Sequence, residues 1–400
     1  MKFLQRAYCR TFQTVFKLVM PLMPYREPKL ENNYNDLATD LLDAGGRRVL
    51  IVTDKTLHNL GLTKQVEESL LKMDMKVAVF DEVLPNPTIK QIETGLEIYK
   101  NNNCNCIVAL GGGSVMDCAK MIGARAVKPN QSVAGMKGLL HINKKLPPFA
   151  AIPTTAGTGS EATVTAVITD DTNHKKYPIN DFCLIPHFAY LNPELTLGLG
   201  KFTTAATGMD ALTHAIEAYI GRATTYKTRD ASLRAIKLIK DNILYAYDNG
   251  KDYEARKYML NASYLAGVAF TRSYVGYVHA IAHSLGGKYN IAHGYANAVI
   301  LPLILKTYGE NAHKKLAEIS DYINLIDKNL SEKEKAEAVI NWIEELNQKF
   351  GFKTYFDELQ EKDIEELVRA ANAEANPLYP VPKLLDKDEL EHVYQKLLAR

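Results

Sequence analysis

The chain has 400 residues, of which 46% are hydrophobic and 24% charged, so it can bury a large core and is expected to form two domains. Its 48 Lys and Arg nearly balance 46 Asp and Glu, and the formal charge of +2 provides no strong field for binding nucleic acid. The cysteines are odd in number and form no CxxC pair, which favours a reducing cytoplasm; they are Cys9, Cys104, Cys106, Cys118 and Cys183.

Residues 1–30 form an N-terminal extension. Apolar residues recur there at helical spacing, which predicts an amphipathic helix that packs on the body of the protein or on a partner. Attachment to a membrane surface is the alternative. Interrupting charges, together with Pro21 and Pro24, argue against a signal peptide. No window offers the roughly 20 apolar residues of a membrane-spanning helix.

Residues 31–195 alternate short β-branched runs with helical patterns, which is typical of βαβ units. The apolar runs predict buried strands at Val49–Asp54, Val77–Phe80 and Cys106–Leu110. The stretches between them predict crossover helices at Thr63–Met73 and Ile89–Asn101. We therefore expect an α/β domain with a doubly wound parallel sheet.

Helical periodicity replaces the strand pattern after Leu191–Glu194 and continues to the C-terminus. One helix is predicted at Ser331–Phe350, where Ser331 suits a helix start and Gly351 suits a stop. The sequence thus predicts that residues 196–400 form an all-helical domain.

A glycine-rich turn, Gly111–Ser114, lies between the strand predicted at Cys106–Leu110 and a helical pattern that includes Asp117. Glycines at such a turn let backbone amides approach a pyrophosphate. A tight turn that needs positive φ would have the same residues, and the GxGxxG fingerprint is absent.

A second turn of this kind, Pro153–Thr158, follows the apolar run Phe149–Ile152. Two turns at the carboxyl ends of neighbouring parallel strands would face one crevice, where open α/β sheets bind their ligands, and this favours a dinucleotide. Asp54, at the end of the first strand, is placed to accept hydrogen bonds from ribose hydroxyls and to repel the extra phosphate of NADP. A turn or cap aspartate is the alternative.

The second half contains a carboxylate and a histidine one helical turn apart, Asp210 and His214. On one helix face they could hold a cation together, or simply contact each other. Further on, His279, His283 and His293 fall close together in the chain. This density predicts a metal site, and imidazoles with one carboxylate suit Fe(II) or Zn(II).

These motifs resemble those of the iron-containing (group III) alcohol dehydrogenase family, which includes propanediol oxidoreductases and butanol dehydrogenases. The resemblance runs from about Arg47 to the C-terminus. It rests on the motifs at Thr53–Leu57, Pro85–Pro87, Gly111–Asp117, Pro153–Thr158, Gly208–His214 and His279–Asn297 and on the spacing between them.

The resemblance implies a dehydroquinate-synthase-like fold with the active site in the cleft between a dinucleotide domain and a helical domain. The metal ligands that it implies are Asp210, His214, His279 and His293. It implies that His283 lies near the nicotinamide. There His283 would relay a proton or position the cofactor, and a purely structural role is the alternative. The implied NAD contacts are Asp54, Asn86, Gly112, Gly113, Ser114, Asp117, Thr154, Thr155, Thr158 and Lys176. The bound metal would act as a Lewis acid on the substrate oxygen while a hydride passes between the substrate and NAD.

The segment Phe270–Val278 departs from better-known members of the family, which carry smaller or neutral residues at Arg272, Tyr274 and Tyr277. Thr165 also replaces an asparagine of the propanediol enzyme. We hypothesise that Arg272 faces the pocket and favours an aldehyde with a distal carboxylate. An ion pair at the surface or between subunits is the alternative.

The sequence therefore predicts an NAD-dependent oxidoreductase of small primary alcohols or aldehydes, in a cytoplasmic homodimer or larger homo-oligomer. Iron is the expected metal, with zinc as the alternative. A hydroxy-acid dehydrogenase acting on 4-hydroxybutyrate is one competing function. A phosphate-eliminating lyase is another, but it would need a basic cluster where the histidine segment offers only Lys288. The third is a binding or filament-forming protein without turnover.

Overall fold

The computed structural model describes residues 3–172 and 176–399. The chain divides into two compact units. The α/β unit consists of Pro24–Leu199 and Lys251–Leu260, and the helical unit consists of Met1–Met23, Gly200–Gly250 and Asn261–Arg400.

The described part of the α/β unit contains nine strands. They are β1 (Lys29–Glu31), β2 (Arg48–Val52), β3 (Lys76–Phe80), β4 (Cys106–Gly111), β5 (Gly138–Leu139), β6 (Phe149–Pro153), β7 (Thr165–Thr169), β8 (Lys176–Asn180) and β9 (Phe188–Tyr190). Six of them form one parallel sheet in the order β1-β9-β6-β4-β2-β3. The chain proceeds from β2 toward both edges, which confirms the predicted doubly wound parallel sheet.

Five helices connect these strands: α2 (Leu37–Asp43), α3 (Lys55–Asn59), α4 (Leu62–Leu71), α5 (Ile89–Asn101) and α6 (Gly113–Val127). Helix α5 has the predicted bounds, and it begins at a capping box in which Thr88 and Gln91 bond each other's backbone. Helix α4 ends two residues before the predicted Met73.

The central strands are buried on both faces of the sheet. In β2, Leu50 and Val52 belong to the apolar cluster that includes α5 and α6, whereas Val49 and Ile51 belong to the cluster that includes α2 and α4. Helices on both faces remove any need for polar residues in these strands, which is why the sequence shows continuous apolar runs.

A smaller sheet with the order β5-β8-β7 was not predicted. Strands β7 and β8 are antiparallel, and in each of them buried residues alternate with half-buried ones. One partly solvated face gives such strands a mixed composition, so no continuous apolar run marks them in the sequence.

Helices make up the helical unit, as predicted for the C-terminal domain. Those described are α1 (Phe3–Val19), α7 (Lys201–Ile220), α8 (Tyr226–Asp248), α10 (Tyr277–Tyr289), α11 (His293–Tyr308), α12 (Glu310–Ile323), α13 (Glu332–Lys349), α14 (Ile364–Ala375) and α15 (Lys387–Lys396), and α9 (Tyr253–Ser273) has residues in both units. Ser331 caps α13 as the sequence predicted. None of the described helices combines the length and apolarity needed to cross a membrane.

Candidate metal centre and nucleotide-binding turns

Three helices of the helical unit bring the four predicted metal ligands together. Helix α7 carries Asp210 and His214, α10 carries His279, and α11 begins at His293. One ligand atom of each lies within 4.8 Å of the others. Asp210, His214 and His279 are buried, whereas the His293 side chain is 38% exposed, so the cluster is open to solvent on that side.

The spacing of the donor atoms suits a transition metal. The Asp210 Oδ1 lies 3.9 Å from His214 Nδ1, 4.0 Å from His279 Nε2 and 3.5 Å from His293 Nε2. Metal–ligand bonds of 2.0–2.2 Å in a tetrahedral shell place neighbouring donors about 3.4 Å apart. A small contraction of the observed cluster therefore produces a normal coordination shell.

Asn297, one helical turn after His293, extends into the middle of the cluster. Its Nδ2 donates to Asp210 Oδ1 at 2.7 Å and lies 3.2 Å from the Nε2 atoms of His279 and His293. Its buried Oδ1 has no hydrogen-bond partner among the described residues. The Asn297 Nδ2 thus lies where one oxygen and two nitrogen atoms of predicted ligands converge, a position that suits a cation.

Glu217, on the same helix as Asp210 and His214, holds the third ligand. Its carboxylate accepts hydrogen bonds from the backbone amides of Gly276 and Val278, both at 2.9 Å, and contacts His279 Nδ1 at 2.6 Å. The first two bonds satisfy amides at the start of α10, which have no partner within that helix. The third orients the His279 ring.

This contact also determines the tautomer of His279. A proton on Nδ1 is donated to Glu217, so the lone pair of Nε2 faces the other ligands. Burial lowers the pKa of His279, which keeps its imidazole neutral, and burial raises the pKa of Glu217 to about 7. A cation favours the same arrangement, because a carboxylate behind a ligating histidine makes it a stronger donor.

His283, the predicted relay residue, lies beside the cluster. Its ring stacks on that of His293 with centroids 5.1 Å apart, and its Nδ1 contacts Glu374 Oε1 at 2.6 Å. The hydroxyl of Tyr379 donates to the same Oε1 at 2.7 Å. A carboxylate therefore orients His283, as Glu217 orients His279.

Gly294 permits the close approach of α11 to α7. A Cβ atom at this position would lie 2.2 Å from the carbonyl oxygen of Ala206 and 3.2 Å from the Cβ of Asp210. The backbone of Ala206 cannot move aside as a flexible side chain could. Any larger residue would therefore separate the helices that carry Asp210 and His293.

The two predicted turns of the α/β unit are in contact with each other. Strands β4 and β6 are neighbours, and Thr154 donates from its backbone amide to Gly111 at 3.1 Å. A Cβ on Gly113 would lie 2.6 Å from Cγ2 of Thr158, and one on Gly112 would lie 3.3 Å from Oγ1 of Thr155. The glycines therefore let the second turn pack against the start of α6, where the first amides of a helix have no partner within the helix itself and suit an anion.

The other predicted nucleotide contacts lie at several points of the α/β unit. Asp54 caps the short helix α3 by accepting from the Leu57 amide at 2.9 Å, which is the cap role that the sequence left open. The Asn86 amide donates to Ser114 Oγ at 3.2 Å, and Asn86 has a positive φ of 60°. Lys176 begins β8, and burial lowers its pKa.

Asp117 takes part in a buried network that involves Lys120. The Asp117 carboxylate accepts from Ser160 Oγ and from the Val167 amide, both at 2.9 Å. Lys120 is fully buried, and its Nζ donates to the hydroxyls of Ser160 and Thr163 at 2.9 and 3.0 Å. Burial lowers the pKa of Lys120 to about 8. These bonds attach the segment after the second turn to α6.

Sequence reasoning did not identify Glu217, Asn297 or Glu374 as residues of the site. Helical spacing could have indicated the first two, because Glu217 follows His214 by three residues and Asn297 follows His293 by four. No local signal connects Glu374 to His283, since they are 91 residues apart.

Both halves of the chain match known family profiles. Residues 31–193 match the profile described as iron-containing alcohol dehydrogenase, and residues 204–398 match that of the Fe-containing alcohol dehydrogenase family, C-terminal. The extension, residues 1–30, lies outside both.

Several proteins similar in sequence are named dehydrogenases. The chain is 38% identical to the NAD-dependent methanol dehydrogenase of Bacillus methanolicus, over 84% of this chain and 88% of that protein. It is 37% identical to alcohol dehydrogenase 4 of Schizosaccharomyces pombe, over 91% of this chain and 85% of that protein. A crystal structure of 1,3-propanediol oxidoreductase superimposes with a TM-score of 0.89 at 34% identity, and the match covers 93% of this chain and 99% of that one.

Replacing Gly294 with Ala should weaken metal binding. The new Cβ would clash with the Ala206 carbonyl, so α11 and its ligand must shift relative to α7. We expect metal affinity to fall about 10- to 100-fold, as for other losses of ligand support. Competition with a chromophoric chelator measures this. Gly287→Ala is the control, since nothing lies within 4 Å of a Cβ there. Equal affinities of the two variants would contradict the prediction.

Replacing Glu217 with Gln should also lower metal affinity, by about 10-fold or more, because a neutral amide orients and polarises His279 less well than a carboxylate. The same chelator competition measures the change, and thermal unfolding shows whether the fold is intact. Exposed Glu345→Gln in α13 is the matched control. Retention of wild-type metal affinity by Glu217→Gln would show that the contact with His279 is incidental.

Proposed function

Because the chain belongs to the iron-containing alcohol dehydrogenase family and is an alcohol/aldehyde oxidoreductase, we propose that it transfers a hydride between NAD(H) and a small primary alcohol or aldehyde. The observation that carries this proposal is the convergence of four donors from three helices, with a buried carboxylate behind one of them.

Asp210, His214, His279 and His293 are the residues that would hold a divalent metal. Their mixed nitrogen and oxygen donors fit Fe(II) or Zn(II), and we propose iron because of the family. When bound, the metal supplies Lewis acidity toward the oxygen of the alcohol or aldehyde. The exposed side of the cluster at His293 gives a substrate access to it.

We propose that the two contacting turns of the α/β unit bind NAD. The amides at the start of α6 suit the pyrophosphate, and the glycines allow the close approach that it requires. The one described hydrogen bond of the Asp54 carboxylate involves Oδ1, so its Oδ2 can accept from a ribose hydroxyl. A carboxylate there also disfavours the additional phosphate of NADP.

His283 is our candidate for moving a proton. Its Nδ1 is oriented by Glu374, which leaves Nε2 as the atom that exchanges a proton with substrate or water. The His283 side chain is 24% exposed, so its ring is partly accessible to solvent. The carboxylate of Glu374 stabilises the protonated state that forms during transfer.

The lyase and the binding protein without turnover have less support. A phosphate-eliminating lyase needs free cations near the metal, and Lys288 in the histidine segment is paired with Asp363 and Glu366. A binding protein without turnover does not need the buried Glu217 carboxylate that orients His279. A cytoplasmic location and a homodimer or larger homo-oligomer stay predictions; the five unpaired cysteines are consistent with a reducing compartment.

The test is NADH absorbance with a panel of short primary alcohols and aldehydes after anaerobic loading with Fe(II) or Zn(II). We expect turnover that chelation abolishes and metal restores. Asp210→Ala should lower the rate at least about 100-fold, because ligand loss costs more than loss of ligand support. Metal and NAD binding without turnover of any substrate would overturn the proposed function.

Arg272 offers a test of substrate class. It lies in the last turn of α9. The nearby Tyr277 is fully buried, and its hydroxyl donates to Asn376, so Tyr277 contributes to packing rather than to substrate binding. If Arg272 binds a distal carboxylate, Arg272→Ala should lower kcat/KM for succinic semialdehyde about 10-fold or more while kcat/KM for butanal stays constant. An unchanged ratio of the two values excludes this role.

A further inference from the structure

Helix α1 of the extension contacts the rest of the helical unit through polar and aromatic side chains. Gln13 is buried, and its Nε2 donates to the carbonyls of Tyr379 at 2.7 Å and Pro377 at 3.3 Å. Arg10 donates to the carbonyls of Val381 at 2.7 Å and Pro382 at 3.0 Å. Four carbonyls of one short segment thus find their partners on α1.

That segment, residues 376–386, connects α14 to α15 and contains Tyr379. The Tyr379 side chain is buried, and its hydroxyl donates to Glu374 Oε1 at 2.7 Å. Phe16 of α1 packs edge to face on Tyr274 with centroids 5.0 Å apart, and the Tyr274 ring lies 6.3 Å from that of Tyr379. Helix α1 therefore supports both the backbone and the ring of Tyr379.

Glu374 Oε1 connects Tyr379 to His283. It accepts from the Tyr379 hydroxyl and contacts His283 Nδ1 at 2.6 Å. Two donors on one oxygen hold the carboxylate in a single rotamer, and a fixed carboxylate selects the Nδ1-protonated tautomer of His283. Without the hydroxyl, the carboxylate can rotate and the tautomer is less strongly selected.

We propose that Tyr379 is a positioning residue for His283, and that the N-terminal extension serves catalysis by holding Tyr379 through Gln13. This inference rests on the role of His283 in the proposed function. The proposal assigns a role to Gln13 of the extension, which lies outside both family profiles.

Tyr379→Phe removes only the hydroxyl and keeps the buried ring. We expect kcat to fall about 3- to 10-fold, because this is the effect of losing one hydrogen bond. Metal affinity and melting temperature should stay close to wild type. Gln13→Ala should also lower kcat. Val15→Ala, on the exposed face of the same helix, is the matched control and should leave kcat unchanged.

Double-mutant cycles separate positioning from a general structural role. In a His283→Ala background, neither Tyr379→Phe nor Gln13→Ala should lower kcat further, because the group they position is absent. Losses that multiply in the double variants would overturn the proposal.

A readout independent of turnover is the ¹⁵N spectrum of histidine-labelled, zinc-loaded protein, in which His283→Ala identifies the His283 signals. We expect an Nδ1-protonated ring in the wild type and a mixture of tautomers in Tyr379→Phe. An identical tautomer in both proteins would overturn the positioning role. Absence of turnover by the wild type, with the expected change of tautomer, would instead count against the proposed function alone.

Discussion

The contact between the Glu217 carboxylate and the Nδ1 atom of His279 is the interaction on which the metal centre depends. A buried carboxylate is costly unless it is hydrogen-bonded, and here two backbone amides and one imidazole satisfy it. Those amides begin the helix that carries His279. The same face of α7 presents Asp210 and His214, so one helix supplies two ligands and fixes the position of a third.

Close packing is the second requirement of this centre. Gly294 brings α11 against the backbone of α7, and His293 is the residue before it. A ligand at the first position of a helix moves with that helix as a whole. The distance between His293 and Asp210 is therefore determined by a glycine that binds nothing itself.

Local patterns in the sequence were sufficient for much of the fold. Strands covered on both faces had to be continuously apolar, and α5 had clear helical spacing and a capping box, so these elements could be predicted closely. The i,i+4 spacing of Asp210 and His214 likewise indicated one shared face. The half-solvated strands β7 and β8 had no such pattern.

Contacts between residues distant in sequence could not be predicted in this way. Glu217 and His279 are 62 residues apart, and His283 and Glu374 are 91 apart. Glu217 follows His214 by three residues, but no local pattern connects it to His279, and none connects Glu374 to His283. Only the packing of helices reveals that each carboxylate has an imidazole as its partner. In the same way, the sequence of the extension predicted a helix but did not indicate which carbonyls Arg10 and Gln13 bind.

The long sequence distance between α1 and its binding site also affects how the chain folds during synthesis. Arg10 leaves the ribosome well before the Val381 carbonyl that it binds, which is 371 residues downstream. At 5–20 residues per second, roughly 20 to 70 seconds separate the two, and α1 stays undocked throughout. Helix α1 therefore docks only after residues 376–386 have emerged, and the surroundings of Tyr379 are completed at that time.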